Sequence, residues 1–184
     1  MNIVNEHGIP VDYSTYETRE IALAKQYVKS TDRVLELGAR YGGVSVTTNK
    51  LLDDKYSHYV VEPDSRVWLA LEKNKVNNNC HFNIIKGTIS NKPQQIVKNS
   101  RKFNDNNDWA TYTIDGGDIP NYRLPNVDFN VLIADCEGFL ETFYNENTYL
   151  FKSLRLIIFE RDRPDYCNYD RLVNEFIKLG FKCV

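Results

Sequence analysis

The sequence predicts an α/β fold with a mostly parallel central sheet and helices on both faces. Three observations predict it. Short apolar strands alternate with helical patterns of about a dozen residues, which is the pattern of βαβ units. Two of the strands, 129–134 and 154–159, are almost wholly apolar, as strands buried on both faces are. Glycines and acids stand just after the strands, at the carboxyl ends where open sheets bind ligands.

At 184 residues the chain fits a single domain spanning 1–184, standing alone or covalently joined to others in a larger protein. That length buries enough surface to need no disulfide or metal staple. Hydrophobic residues make up 42% and charged residues 26%, which excludes a disordered chain. No apolar run approaches the length of a membrane span. The first residues lack the basic and apolar regions of a signal peptide, so a cytoplasmic protein is expected. With 23 basic against 25 acidic residues there is no broad cationic surface for nucleic-acid phosphates. Cys80, Cys136, Cys167 and Cys183 form no C-x-x-C pair and read as free thiols. His7, His58 and His81 are scattered. The wealth of asparagine is associated with AT-rich genomes, viral or protist among them.

Each element follows from its pattern. Residues 17–29 carry a helical stripe of Ile21, Leu23, Ala24, Tyr27 and Val28, ended by Ser30-Thr31-Asp32. Residues 33–37 form a first strand, 42–52 a helix and 58–61 a second strand. Asp64 is the expected N-cap of the next helix, whose apolar positions are Val67, Leu69, Leu71 and Val76. Residues 82–85 form a third strand. The asparagine-rich stretch 91–108 reads as a surface loop. After the fourth strand, 139–151 is helical. After the fifth, 169–179 is an amphipathic helix stopped at Gly180, and 181–184 starts a last strand.

The residues after the strands carry the chemistry. Glu36-Leu37-Gly38-Ala39-Arg40-Tyr41-Gly42-Gly43 follows the first. Gly38 permits a tight turn, and Gly42 and Gly43 remove side chains where a ligand would press on the main chain. The next helix would aim its N–H groups and positive dipole end there. The dinucleotide pattern G-x-G-x-x-G is absent, and an acid precedes the first glycine. A buried carboxylate repels a pyrophosphate and suits a cation, so Glu36 points to S-adenosylmethionine, with its sulfonium and ammonium groups. Glu62-Pro63-Asp64 follows the second strand, about two dozen residues after Gly38. Glu62 is placed to accept both ribose hydroxyls. Gly87 and Thr88 follow the third strand, where adenine would lie. Asp135-Cys136-Glu137-Gly138 follows the fourth, and Glu160-Arg161-Asp162-Arg163-Pro164-Asp165 the fifth. Acids closing an apolar strand need a partner or a role. Glu137 could also serve as a helix cap, and the last segment could be a solvated, self-paired loop.

These segments together resemble the FkbM-type S-adenosylmethionine-dependent methyltransferases, which have the Rossmann-like class I methyltransferase fold. Val34 to Gly42 is similar to the first motif of that family. Val60-Val61-Glu62-Pro63-Asp64 with Asn74 and Asn77 is similar to its E-P-x…L-x-x-N segment. Leu132 to Gly138 is similar to its K-I-D-x-E-G segment, and Tyr16-Glu17 matches a family position. The resemblance covers roughly residues 13–184. It departs at Arg40, where asparagine is usual, at Ile133, where lysine is usual, and at Leu140, often a second glutamate. A class I methyltransferase normally adds a seventh, antiparallel strand; the sequence given stops at Val184, which fits either a shortened version or one domain of a larger protein.

The resemblance implies methyl transfer to an oxygen of a sugar, a glycan or another small polyhydroxylated acceptor. Asp135 is the first candidate for the base, with Glu137 and Glu160 next. The expected cofactor contacts are Tyr16, Glu36, Gly38, Ala39, Arg40, Tyr41, Gly42, Gly43, Glu62, Pro63, Asp64, Gly87, Thr88 and Asp135. A divalent metal on Asp135, Glu137 and Glu160 is conceivable but not favoured, since nothing sets a ligand count. A nicotinamide enzyme, a nucleic-acid methyltransferase and a non-catalytic interaction module are the alternatives.

Overall fold

The computed structural model describes residues 1–98 and 111–184. In chain order the first half comprises α1 (Thr18–Tyr27), β1 (Val34–Leu37), α2 (Gly43–Leu51), β2 (His58–Glu62), α3 (Trp68–Asn77) and β3 (Asn83–Lys86). Four short strands follow: β4 (Thr88–Ile89), β5 (Gln94–Lys98), β6 (Thr111–Asp115) and β7 (Asn121–Tyr122). The second half has β8 (Val131–Ala134), α4 (Leu140–Glu146), α5 (Thr148–Phe151), β9 (Leu156–Phe159) and α6 (Tyr169–Lys178).

The central sheet runs β3-β2-β1-β8-β9, all parallel. The chain moves outward from β1 to β3 and then returns to the other side of β1. The strand order therefore reverses between β1 and β8, and the crevice beyond their carboxyl ends is where such sheets bind ligands.

Period-two alternation sorts the strands onto two faces. Leu35, Leu37, Leu132 and Ala134 pack with Leu140, Phe143, Phe151, Leu172 and Phe176 from α4, α5 and α6. Val34, Val131, Ile133 and Ile158 pack on the other face with Ile21, Ala24 and Val44 from α1 and α2. Val60 joins Val67, Leu71 and Phe82 beside α3. Of the two apolar strands expected to be buried on both faces, β8 is buried throughout, whereas β9 stands at the sheet edge with only Ile158 fully buried.

The structure changes several expectations. α3 begins at Trp68, and Asp64 does not cap it. Asp64 instead accepts the backbone N–H of Arg66 and pairs with its guanidinium. Leu69 and Val76 are exposed, because only Val67 and Leu71 lie on the face toward the sheet. The helix expected over 139–151 is broken at Asn147, whose side chain donates to the Phe143 carbonyl and competes with the helical ladder. Residues 181–184 form no strand. Phe181 instead turns onto Phe176, and Val184 is exposed.

The stretch 91–108 is not simply a loop. Gln94–Lys98 pairs antiparallel with Thr111–Asp115 to form a hairpin. Residues 99–108 of that stretch lie outside the described residues.

Asn74, from the segment matched to L-x-x-N, is fully buried. It donates to the carbonyls of Val4 and Tyr41 and accepts the Val4 N–H. One amide thus ties the N-terminal segment to the glycine-rich loop. The four cysteines are free thiols. Among the described residues, no helix is long and apolar enough to cross a membrane.

Candidate active site

A cleft opens beyond the carboxyl ends of β1, β2 and β8. Its lining includes Tyr16, Glu17, Gly38, Arg40, Glu62, Pro63, Thr88, Thr113, Asp135, Cys136, Glu137 and Phe139. Of the expected cofactor and catalytic residues, it gathers Tyr16, Gly38, Arg40, Glu62, Pro63, Thr88, Asp135 and Glu137. Glu160 stands beside it, with a carboxylate oxygen within 4.8 Å of one of Asp135.

Gly38 lies where the backbone of β1 passes the end of β8. Its φ is +82°, and a Cβ there would overlap the Asp135 carbonyl oxygen. Gly38→Ala should therefore destabilise the fold by about 2–5 kcal/mol, from left-handed strain plus overpacking. Chemical denaturation would measure it. A loss under 1 kcal/mol would show that the two loops can separate freely.

The other glycines of this loop serve packing, which corrects the expectation that they clear space for a ligand. A Cβ on Gly43 would strike the Tyr13 ring. One on Gly42 would come within 2.7 Å of Leu71. Gly87 lies against the Pro120 carbonyl. Neither Tyr41 nor Ala39 lines the cleft. Both are buried in the apolar cluster beside α3, and the Tyr41 hydroxyl donates to Glu6. Asp64 is occupied by Arg66, as described above.

Glu36 is the largest correction. Alternation along β1 turns it onto the α2 face, 1% exposed and outside the lining of the main cleft. There it accepts the Ser45 hydroxyl at 2.6 Å and meets His58 Nε2 at 3.0 Å. It faces only a small side pocket, shared with Glu17, Glu20 and Asp135.

Glu62 does more than was expected of it. Oε2 accepts the backbone N–H groups of Ala39 and Arg40 at 3.1 and 2.6 Å, and Oε1 accepts that of Asp64 at 2.7 Å. A carboxylate offers about four acceptor positions. Three are taken, so one remains for a ribose hydroxyl instead of the expected bidentate grip. Burial still pushes its pKa up to about 7.

The cleft concentrates negative groups. Burial, with Glu36 and Glu20 nearby, pushes Glu17 up to about 8, although the Val44 N–H opposes this. Burial and Asp162 push Glu137 up to about 7. Burial and the Glu160 charge hold Asp135 well above the usual carboxylate range. The two carboxyls have oxygens within 4.8 Å, so Asp135 and Glu160 titrate as a pair.

Sequence reasoning missed Glu17, Thr113, Cys136, Phe139 and Asp162. Glu17 had a signal, since it is half of the matched Tyr16-Glu17 pair. Asp162 sat in a segment that also reads as a solvated loop. It accepts the Glu137 N–H at 2.7 Å, the Arg163 N–H at 2.7 Å and the Tyr169 hydroxyl. Glu137 has a φ of +50°, and Asp162 holds it in that conformation. Asp162 thereby clamps the loop after β9 to the loop after β8.

Asp135, Glu160 and Asp162 have oxygens within 4.8 Å of one another, and Glu137 is not in that group. Both oxygens of Asp162 already accept protein donors, and burial and the Glu160 charge raise the Asp135 pKa.

No family model and no curated protein sequence matches the chain. Solved structures do match it. Precorrin-6y C5,15-methyltransferase from Geobacter metallireducens superposes with a TM-score of 0.52 at 15% identity, over 90% of this chain and 72% of that one. A protein described as an O-methyltransferase from Klebsiella pneumoniae gives 0.51 at 14% identity, over 94% of this chain and 72% of that one. The chain has the class I methyltransferase fold.

Within that fold two departures from the resemblance gain a structural account. Ile133, where a lysine is usual, is the ladder neighbour of Glu36. His58 Nε2 meets the Glu36 carboxylate at 3.0 Å on the same face. Arg40 has a φ of +48°, a conformation that asparagine tolerates better than arginine does.

Proposed function

We propose that the chain is an S-adenosylmethionine-dependent O-methyltransferase acting on a hydroxyl of a small polyhydroxylated acceptor, a sugar or glycan. The observation that carries the cofactor assignment is the acidic cleft at the switch point. Glu17, Glu62, Asp135 and Glu137 surround Gly38, and all four have raised pKa values. Burial is the main cause for each of them, and a ligand bearing a sulfonium and an ammonium offsets the cost of charging buried carboxyls. A nicotinamide dinucleotide would bring two more negative charges into the cleft. The methyltransferase neighbours and the motif resemblance to the FkbM family support the same assignment.

When bound, S-adenosylmethionine supplies an electrophilic methyl group. The chain's own work is orientation and proton handling. Glu62 rigidifies the glycine-rich loop and keeps one acceptor position for the ribose. Gly38 lets the loop after β1 pack against the Asp135 carbonyl, which closes the floor of the cleft. Holding an acceptor hydroxyl in line is worth up to ~7–11 kcal/mol in favourable cases. The Asp135–Glu160 pair takes the hydroxyl proton as the oxygen gains its new bond, an effect of about 10²–10⁴-fold. A neutral polyol suits these acidic walls better than an anionic acceptor does.

A thermal-shift series with S-adenosylhomocysteine, S-adenosylmethionine and NADH tests the assignment. At 100 times its Kd a ligand adds ~2.7 kcal/mol. For this size of domain that is roughly 5–10 °C. The two sulfur compounds should shift the midpoint, and NADH should not. A response to NADH alone overturns the cofactor. No response to any of the three makes the fold a non-catalytic module.

The shift should also depend on pH. An acid whose folded pKa is raised binds more protons folded than unfolded, so its charge weakens the fold as pH rises from about 4.5 towards 8. A cationic ligand offsets that charge. The S-adenosylmethionine shift should therefore be larger at pH 8 than at pH 5.5, and more so than the shift with uncharged-sulfur S-adenosylhomocysteine.

A further inference from the structure

We propose that the β5–β6 hairpin supplies the base-recognition contact of this site, with the Thr113 hydroxyl accepting a hydrogen bond from the exocyclic amine of the cofactor's adenine. This rests on the S-adenosylmethionine assignment above and adds a residue that no motif points to.

The hairpin base is tied to α4, where Glu146 accepts the Ser90 hydroxyl and the Asn91 N–H, and it is closed by bonds between its own two ends. Gln94 is 1% exposed, and its amide donates to Asp115 Oδ1 at 3.2 Å and to the Lys92 carbonyl at 3.3 Å. The Gly116 N–H donates to the Pro93 carbonyl, and the Ile119 N–H to the Gln94 carbonyl. The chain then runs directly into Pro120, whose carbonyl accepts the Thr88 N–H at 2.9 Å, and into β7, which pairs with β4. The hairpin thus stands at the β3 side of the cleft.

Sheet order gives that side its meaning. Gly38 and Asp135 lie at the ends of β1 and β8, Glu62 at the end of β2, and Thr88 just past β3. A nucleoside with its sulfur end at Gly38 and its ribose at Glu62 extends its base towards Thr88 and Thr113. Val61, Pro63 and Phe139 line the same cleft and offer apolar surface to a flat ring.

Two threonines border this end, and they differ. The Thr88 hydroxyl is engaged by Asn121. The Thr113 hydroxyl is sealed from solvent and has no hydrogen-bond partner among the described residues. A buried hydroxyl left without a partner is unfavourable, and one that lines a ligand cleft is satisfied when the ligand brings a matching group. A hydroxyl can donate or accept, and an aromatic amine donates.

The test uses titration calorimetry on the intact chain with two ligands. One is S-adenosylhomocysteine. The other is its purine analogue, with hydrogen in place of the exocyclic amine. Thr113→Val keeps the shape and removes the hydroxyl, while Thr113→Ser keeps the hydroxyl. The wild type should prefer S-adenosylhomocysteine over the analogue by about 5–10-fold, the worth of one hydrogen bond. Thr113→Val should lose that preference by weakening only S-adenosylhomocysteine, and Thr113→Ser should keep it. Equal weakening of both ligands in Thr113→Val, or unchanged affinity for both, overturns the proposal. Wild-type protein that binds neither ligand overturns the cofactor assignment, and this proposal with it.

Discussion

Replacing Glu62 with alanine should raise the Kd for S-adenosylhomocysteine by about 100-fold, the largest single effect on binding that the site predicts. The size follows from what one carboxylate holds. It accepts the N–H groups of Ala39, Arg40 and Asp64 and lines the cleft where a ribose hydroxyl would sit. Hydrogen bonds to a charged group are each worth about 1.5–3 kcal/mol. Alanine leaves three backbone donors unpaired, so the loop that carries Gly38 and Arg40 loses its shape along with its ligand contact. Glu62→Gln retains one acceptor and should lose about 10-fold. Calorimetry measures both, and circular dichroism confirms that the variants remain folded. Binding within threefold of wild type in the alanine variant would remove Glu62 from the site.

Asp135→Asn should separate binding from chemistry. The amide fills the space of the carboxyl, so S-adenosylhomocysteine affinity should stay within about threefold. Turnover with any acceptor that the wild type methylates should fall by about 10²–10⁴-fold. The pH profile gives an independent readout. Burial and the Glu160 charge raise the Asp135 pKa, and Glu160 is raised by burial as well. The pair therefore holds a proton to a higher pH than an ordinary carboxyl. Wild-type turnover should be lost as pH falls through that raised range, well above the ordinary value of 3.8. Normal turnover in Asp135→Asn would move the base elsewhere, with Glu137 next in line.

Much of the fold is legible in the sequence, for a simple reason. The apolar runs at 131–134 and 156–159, short and rich in β-branched residues, read as strands, and both join the central sheet. The stripe at Tyr169–Lys178, with Gly180 just beyond, can only be a surface helix. The β5–β6 hairpin is not legible. Gln94–Lys98 and Thr111–Asp115 are short and mixed in polarity, and what makes them strands is each other. Thr113 was missed for that reason.

The site divides in the same way. Gly38, Glu62 and Asp135 were readable because each ends a strand, and strand ends in this architecture meet at one crevice. Glu36 shows the limit of that rule. It lies one residue before its strand ends, and alternation gives it to Ser45 and His58 on the helix face. Gly43 shows another limit, because the ring that requires it belongs to Tyr13, far back in the chain. Asp162 looked like one more surface acid until the Tyr169 hydroxyl and the Glu137 N–H were found on it.

Local pattern by itself determined the strands of the central sheet, their parallel arrangement and the end of the sheet where chemistry gathers. Those depend on the period of apolar residues and on where glycine and acid interrupt it, and both are local properties. Tertiary structure alone decided which acids face the cleft and which are tied off inside the protein. That depends on side-chain direction and on partners such as Ser45, His58 and Tyr169, which long-range pairing brings together and no local spacing encodes.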